Sequence, residues 1–199
     1  MAVIGLTGGI GSGKSAVSGL LQEMGATLID ADKVGHEAYL PHTEAWEEVV
    51  ATFGPTVVNE DESINRPELG KIVFGDPEAL AKLNAIMHPK MAVMIGNQIQ
   101  GLKGQGVENI VLEAAILIEA NWLPLVDQVW VVTAQEDEVV RRIQARNNFA
   151  EDAIRSRIRS QLSNEERVKH ADAVIENVAG EDELRTEVTR LWHSRIDQG

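Results

Sequence analysis

The feature that most constrains this chain is a glycine-rich segment at residues 8–15, with the sequence Gly-Gly-Ile-Gly-Ser-Gly-Lys-Ser. The apolar residues 3–7 before it predict a short buried strand, and the residues after it have helical periodicity. A glycine, four residues and Gly-Lys-Ser between a strand and a helix is the spacing of a P-loop. Such a loop turns successive backbone N–H groups towards phosphate oxygens at the positive end of a helix. The alternative is a strand-to-helix turn that binds nothing.

Two side chains of this segment carry the chemistry of the motif. Lys14 is expected to reach the β- and γ-phosphates of a nucleoside triphosphate, and the Ser15 hydroxyl is expected to bind Mg²⁺. Backbone groups supply the remaining contacts. The predicted nucleotide-binding residues of this segment are Gly9, Ile10, Gly11, Ser12, Gly13, Lys14, Ser15 and Ala16.

Composition limits the other classes of function. The chain has 199 residues, no cysteine and a formal net charge of −13, which opposes binding of nucleic acid over a broad surface. One domain is expected, because no linker-like tract divides the chain. No apolar run approaches the ~20 residues of a membrane span, and the N-terminus enters the first strand without the pattern of a signal peptide. We therefore expect a cytoplasmic protein that binds neither nucleic acid nor membrane.

The order of the segments predicts the fold class. Short apolar strands are expected at residues 3–7, 27–29, 109–113, 127–132 and 173–175. Helices are expected between and after them, chiefly at residues 14–24, 135–146, 151–162 and 181–196. This alternation predicts an α/β fold with a parallel sheet of about five strands and helices on both faces.

Two stretches between the strands have their own patterns. Residues 33–104 are mostly helical in periodicity but contain five prolines, which predicts short helices rather than one long helix. We expect His88-Pro89 to kink or divide the helix there. Residues 114–121 predict a further short helix after the third strand.

Three acidic residues follow or end predicted strands, at the carboxyl edge where α/β sheets place their chemistry. Asp30 and Asp32 follow the second strand. Either can be the N-cap of the next helix, or a general base that accepts the proton of an attacking hydroxyl. Glu113 ends the third strand, where it either acts on Mg²⁺ through water or faces solvent as an ordinary acidic residue.

Basic residues concentrate in one part of this acidic chain. Residues 141–169 contain eight of the 18 Lys and Arg against four Asp and Glu, a net charge of +4. The planar guanidinium of arginine suits phosphate oxygens, and phosphoryl transfer needs cations around the transferring group. An arginine-rich lid is therefore one interpretation. The other is a solvent-exposed helical face crossed by salt bridges.

Taken together, several segments resemble the dephospho-CoA kinase family. They are Thr7 with the P-loop, Ile29-Asp30-Ala31-Asp32, Arg66 with Leu69-Gly70 and Val73-Phe74, Leu83-Asn84, His88-Pro89, Arg142, Arg157-Ile158 with Gln161, and residues 171–177. The resemblance covers nearly the whole chain. Residues 111–122 look closest to this domain in bifunctional eukaryotic CoA synthases, but no adenylyltransferase half accompanies them, so a free-standing kinase is expected.

The resemblance implies an enzyme that uses ATP to phosphorylate the ribose 3′-hydroxyl of dephospho-CoA, giving coenzyme A and ADP in the last step of CoA biosynthesis. It also implies a P-loop kinase fold in a single domain, residues 1–199. The parts of that domain are a core of residues 1–32, 105–135 and 170–199, a helical substrate-binding region of residues 33–104, and a lid of residues 136–169.

Roles for individual residues also follow from the resemblance. Asp32 is the catalytic base, and Lys14 and Arg142 stabilise the transferring phosphoryl group. Arg142 and Asn177 complete the ATP site, with Asn177 near the adenine. Ser15 holds Mg²⁺.

The substrate side is implied in the same way. Asp32, His88 and Arg66 are the expected contacts to dephospho-CoA. Mg²⁺ is the expected cofactor, Glu113 is a second candidate to act on it through water, and ATP is the co-substrate. A monomer and a homo-oligomer are equally compatible with the sequence.

Two positions depart from the family pattern. Ala16 replaces the Thr that commonly follows the P-loop Ser, which removes a hydroxyl whose hydrogen bond would contribute about 1 kcal/mol. Glu113 stands where the family often has Asp or an apolar residue.

Two other functions stay open as alternatives. A nucleoside monophosphate kinase would use arginines on the acceptor phosphate, and Arg66 is the only arginine in residues 33–104. A nucleotide-gated binding protein belongs to a different class, and the chain has no guanine-specifying Asn-Lys-x-Asp sequence.

Overall fold

The structure, a computed structural model, describes residues 1–147, 149–177 and 180–196. The strands are β1 (Ala2–Gly8), β2 (Thr27–Asp30), β3 (Asn109–Glu113), β4 (Gln128–Thr133) and β5 (Ala173–Glu176). They form one sheet in the order β2-β3-β1-β4-β5. β1 runs parallel to both β3 and β4, and β5 runs parallel to β4. The predicted five-stranded α/β fold is confirmed.

Helices connect the strands. They are α1 (Lys14–Glu23), α2 (Ala31–Ala38), α3 (Glu44–Phe53), α4 (Arg66–Gly75), α5 (Pro77–Gly104), α6 (Glu136–Asn147), α7 (Glu151–Arg159), α8 (Asn164–Val168) and α9 (Glu181–Arg195). Within the described ranges, no helix is both long enough and apolar enough to cross a membrane.

The chain divides into two compact units. One, which we call the sheet unit, comprises residues 1–29 and 99–199, and the other, the helical unit, comprises residues 30–98. The predicted division into core, substrate region and lid stays a prediction. The predicted lid includes position 148, and the predicted core segment 170–199 includes positions 178–179 and 197–199; these positions lie outside the described residues.

Two helices of the sheet unit cover the sheet through their apolar faces. Val17 and Leu21 of α1 and Val188 and Trp192 of α9 are buried in one cluster with Trp130 of β4. Their spacings of four residues place each pair on one face of its helix, as the sequence pattern predicts. Burial of each aliphatic side chain contributes about 1.5–3 kcal/mol, so these faces hold α1, and with it the P-loop, against the sheet.

The helical unit differs from the prediction at its longest helix. Of the kink or division expected at Pro89, the division is wrong, because α5 continues through this residue from Pro77 to Gly104; the kink stays a prediction. Pro89 costs the helix about 3 kcal/mol, but the residue is exposed and one face of the helix is buried over about three turns. That face consists of Leu83, Met87, Met91 and Ile95, each contributing about 1.5–3 kcal/mol, which outweighs the lost hydrogen bond.

Two further segments differ from expectation. Residues 115–121 form turns rather than the predicted helix and end at Asn121 with a φ of 56°. The backbone N–H groups of residues 120, 121 and 122 donate to carbonyl oxygens four, three and five residues back, which is not the regular spacing of an α-helix. α7 ends at Arg159 instead of residue 162, and α8 follows it. The Ser163 hydroxyl accepts from the backbone N–H of Glu166 at 3.1 Å and so caps α8. Ser-x-x-Glu is a helix-start signal that the sequence carried.

Candidate active site

The loop between β1 and α1 packs so closely that two of its glycines admit no side chain. Gly13 has a φ of 98°, and a Cβ there would lie 2.1 Å from Nδ2 of Asn177. A Cβ on Gly8 would lie 2.3 Å from the carbonyl oxygen of Val132 in the neighbouring strand. The glycines therefore let the loop fold tightly against β4 and Asn177 at the N-terminus of α1.

Lys14 is the first residue of α1, and its ammonium group turns back over the loop. Nζ donates to the carbonyl oxygens of Gly8 at 2.9 Å and Gly9 at 3.2 Å. A positive charge and the N-terminal end of a helix thus meet at one loop. A polyphosphate is bound most favourably in such an electrostatic environment.

A carboxylate and two hydroxyls meet beside this lysine. The Ser15 hydroxyl donates to Oε1 of Glu113 at 3.1 Å, and the Ser18 hydroxyl donates to Oε2 at 2.6 Å. Oxygen ligands of this kind are the ones that Mg²⁺ prefers, so the residues present fit this ion. Among the residues described, no group of three or more His, Asp or Glu side chains could hold a metal ion.

A cavity of about 540 Å³ opens next to the loop, within the sheet unit. Gly13, Lys14, Ser15, Ala16, Arg142 and Asn177 are among the residues that line it. Pockets for nucleotide-sized ligands fall in this range of volume. The structure thus brings together the predicted nucleotide residues from the P-loop, from α6 and from the chain after β5.

Arg142 lies on α6 and is held from two sides. Its Nε donates to Oε1 of Glu138 at 2.9 Å, and its Nη2 donates to the backbone oxygen and Oδ1 of Asn177 at 3.2 Å and 3.3 Å. Hydrogen bonds from Arg141 and Arg142 hold the pKa of Glu138 below its usual value. Glu138 is therefore ionised at neutral pH and fixes the guanidinium of Arg142 at the wall of the cavity.

Most of the other basic residues between positions 141 and 169 whose side chains the structure describes are engaged in pairs. Arg155 on α7 bonds to Glu136 and Asp137 at the start of α6 and to Glu151 on its own helix. Arg157 lies over the ring of Phe149 with 4.9 Å between guanidinium carbon and ring centre. The salt bridges of Arg155 thus join α6 to α7, as the salt-bridge interpretation of the basic segment expects. The lid stays a prediction.

Two residues that sequence reasoning did not assign to the site lie near the loop: a Cβ added to Gly9 would be 3.7 Å from Oε1 of Gln161 and 3.8 Å from Nη1 of Arg167. Oε1 of Gln161 accepts from the backbone N–H of Ile10 at 2.8 Å. Arg167 is only 1% exposed; it donates to Oε1 of Glu119 at 3.0 Å and to the carbonyl oxygen of Leu162. Burial lowers the pKa of Arg167, and Glu119 opposes this shift.

The sequence gives a signal for Gln161 but none for Arg167. Gln161 stands in a segment that carries the family resemblance. Arg167 was counted only as one basic residue among eight, and no local pattern marks an arginine that pairs with a carboxylate 48 residues away. Ser12 is also buried, and its hydroxyl has no hydrogen-bond partner among the described residues.

The helical unit holds the predicted substrate-side residues. Asp30 is the N-cap of α2: its Oδ1 accepts from the backbone N–H of Asp32 at 2.9 Å and of Lys33 at 3.4 Å. Asp32 lies exposed in the first turn of α2. Of the two aspartates, the capping role belongs to Asp30, which leaves Asp32 as the candidate base.

Arg66 and His88 lie on other helices of the same unit. Arg66 begins α4 and its guanidinium carbon lies 5.5 Å from the ring centre of Tyr39. Burial raises the pKa of Tyr39, and the positive charge of Arg66 opposes the shift. His88 lies half-buried on α5.

Comparison with known proteins places these features in a family. A sequence model of CoaE, dephospho-CoA kinase, matches residues 2–183. The chain is 44% identical over 191 residues to the dephospho-CoA kinase of Carboxydothermus hydrogenoformans, covering 96% of this chain and 93% of that protein. Among solved structures, TT1252 from Thermus thermophilus is similar with a TM-score of 0.82 at 30% identity, over 98% of this chain and 97% of the other.

A second solved structure carries the family name. The dephospho-CoA kinase from Campylobacter jejuni is similar with a TM-score of 0.70 at 26% identity, and 98% of each chain is covered. The expectation that residues 111–122 are nearest to the eukaryotic CoA synthases is not tested by these bacterial relatives and stays a prediction.

Proposed function

This chain belongs to the dephospho-CoA kinase family, and we propose that it transfers the γ-phosphoryl group of ATP to the ribose 3′-hydroxyl of dephospho-CoA, giving coenzyme A and ADP. ATP-dependent phosphorylation of dephospho-CoA is the activity that the family supports. The observation that carries the proposal for this chain is the glycine loop with the Lys14 ammonium over it, 2.9 Å from the carbonyl oxygen of Gly8. The acceptor hydroxyl and the mechanism are the proposed part.

On the donor side, the P-loop residues Gly9 to Ala16 bind the phosphates of ATP. Lys14 moves its ammonium group from the loop carbonyls to the β- and γ-phosphate oxygens. Ser15, with Glu113 hydrogen-bonded to it at 3.1 Å, would hold Mg²⁺, and Glu113 would act on the ion through water. The ion would supply positive charge that offsets the negative charge of the triphosphate.

Arg142 and Asn177 complete the donor site at the other wall of the cavity. The guanidinium of Arg142, oriented by Glu138, stabilises charge on the transferring phosphoryl group. Asn177 holds the loop at Ser12 with a bond of 2.8 Å and lies near the adenine. Ala16 offers no hydroxyl to the α-phosphate, so its contact there is the backbone N–H alone.

On the acceptor side, Asp32 is the general base. In an in-line transfer the ribose 3′-oxygen bonds to the γ-phosphorus as the bond to the β,γ-bridging oxygen breaks, and the proton of the hydroxyl passes to the Asp32 carboxylate. Arg66 and His88 bind dephospho-CoA. The exposure of Asp32, with Asp30 already serving as the cap, supports this assignment.

The proposed setting is the cytoplasm, with ATP and dephospho-CoA as the binding partners and neither nucleic acid nor membrane among them. The formal charge of −13 supports the exclusion of nucleic acid bound over a broad surface. The proposed arrangement is a single kinase domain with residues 33–104 as the substrate region and residues 136–169 as the lid.

A panel of acceptors tests the proposed function. ADP release is measured with ATP and Mg²⁺ alone, with AMP, and with dephospho-CoA. Stimulation by dephospho-CoA only is the expected result. Stimulation by AMP would favour the nucleoside monophosphate kinase alternative, and equal release with no acceptor would favour a nucleotide-gated binding protein.

A further inference from the structure

Ser18 is a buried polar residue to which neither the P-loop motif nor the family resemblance gives a role. It lies on α1, one helical turn after Ser15, and is 2% exposed. Its hydroxyl has one proton and two acceptors within reach: Oε2 of Glu113 at 2.6 Å and the carbonyl oxygen of Ser15 at 3.2 Å. The shorter, charge-assisted bond to the carboxylate is the stronger of the two.

This bond decides how Glu113 presents its other oxygen. With Oε2 fixed by Ser18, Oε1 accepts the proton of the Ser15 hydroxyl at 3.1 Å. The lone pairs of the Ser15 oxygen are then directed away from Glu113, where a cation can use them. A glutamate has one more rotatable bond than an aspartate, so one hydrogen bond alone would leave its carboxylate free to turn.

We propose that Ser18 is a positioning residue for the metal site: it fixes Glu113, and through it the Ser15 hydroxyl, in the arrangement that binds Mg²⁺. Groups that orient a metal site in this indirect way typically contribute a factor of about 10–100 in metal affinity. The inference rests on the proposed function only in taking Mg²⁺ with a nucleotide as the occupant of the site. The identity of the phosphoryl acceptor does not enter it.

The test is the affinity of Mn²⁺, as a spectroscopic substitute for Mg²⁺, in the protein complex with ADP. Free Mn²⁺ is followed by its electron paramagnetic resonance signal in the wild type, Ser18→Ala, Glu113→Gln and the double variant. We expect Ser18→Ala to weaken Mn²⁺ binding about tenfold. Because Ser18 acts through Glu113, we expect less than about a twofold further loss when Ser18→Ala is added to Glu113→Gln.

Two measurements separate this role from a structural one. Thermal unfolding of the metal-free and nucleotide-free protein shows whether Ser18→Ala has perturbed the fold. Ser194→Ala on α9 is the control for loss of a serine hydroxyl: it is an exposed residue whose hydroxyl donates to the backbone carbonyl of Leu191 at 3.1 Å.

The outcomes are distinct. An unchanged Mn²⁺ affinity in Ser18→Ala, or a loss of the same size in the Glu113→Gln background, overturns the proposal. A tenfold loss in the wild-type background alone, with Ser194→Ala unaffected, supports it. Since no acceptor substrate is present in this experiment, its result does not depend on whether dephospho-CoA is the acceptor.

Discussion

The side-chain amide of Asn177 donates to the backbone carbonyl oxygen of Ser12 at 2.8 Å. Asn177 directly follows β5 and is 7% exposed, so a buried hydrogen bond ties the end of an outer strand to the middle of the P-loop. The backbone oxygen and Oδ1 of the same residue accept from Arg142. One asparagine thus holds both the loop and the arginine at the walls of the cavity.

Asn177→Ala is expected to loosen both the P-loop and the side chain of Arg142. We predict a KM for ATP raised about tenfold and a free energy of unfolding lowered by about 1–3 kcal/mol, because the carbonyl of Ser12 loses a buried partner. Asn164→Ala is the control: this exposed residue also has an amide that donates to a carbonyl oxygen, that of Ala134 at 3.3 Å. A stability loss with no change in KM would reduce Asn177 to a structural role.

Gly13→Ala and Gly19→Ala compare two glycines six residues apart. At Gly13 a Cβ would meet Nδ2 of Asn177 at 2.1 Å with φ at 98°, so we predict lost nucleotide binding and a destabilisation above ~1 kcal/mol. Gly19 lies inside α1 with no atom within 4 Å of the added Cβ. There we predict a gain of about 0.5–1 kcal/mol, since alanine is the better helix former. Urea unfolding measures the stability of each variant, and ADP titration measures its nucleotide binding. Equal effects of the two substitutions would contradict the loop geometry.

Local parts of the fold could be predicted from the sequence, because their signals lie within a few residues. The β1 strand, the glycine loop and α1 are examples. The alternation of strands and helices along the chain then indicates a parallel sheet.

Long-range contacts could not be predicted in this way. The bond from Asn177 to Ser12 and the ion pair of Arg167 with Glu119 join distant segments, and no local pattern specifies which strands become neighbours. The continuity of α5 at Pro89 depends on tertiary burial that outweighs a local signal. Likewise the sequence leaves two interpretations of Glu113 open, and no local pattern indicates that Ser15 and Ser18 donate to its two carboxylate oxygens.

Asp32→Asn tests the base assignment. We predict ATP binding close to wild type and a turnover lowered ~10²-fold or more, since the amide cannot accept the proton of the acceptor hydroxyl. Asp30→Asn is the control, because asparagine caps a helix about as well as aspartate and should leave turnover nearly unchanged. Steady-state kinetics and ADP titration measure both variants. Full activity of Asp32→Asn would remove Asp32 from the mechanism.

Tyr39 offers a pH-dependent readout of the helical unit. It is the single tyrosine of the chain, and burial raises its pKa above the 10.0 of an exposed tyrosine, against the opposing charge of Arg66. The folded protein therefore keeps the phenolic proton to higher pH than the unfolded chain, so the free energy of unfolding falls as pH rises beyond 10.0.

The phenolate absorbance in the near ultraviolet should accordingly show a midpoint above 10.0 in the folded protein and a lower one in urea. Tyr39→Phe should abolish this signal and lessen the alkaline loss of stability, and Arg66→Met should move the midpoint further up. A folded midpoint at or below 10.0 would contradict the buried setting of Tyr39.

The most direct test of the account is the structure of the product made from ATP, Mg²⁺ and dephospho-CoA. We predict that the wild-type protein yields a compound that co-elutes with authentic coenzyme A and carries the new phosphate as a monoester on the ribose 3′-oxygen, observed by phosphorus NMR, with one ADP formed per product. A phosphate on any other position, or ADP formed without a phosphorylated acceptor, would contradict it.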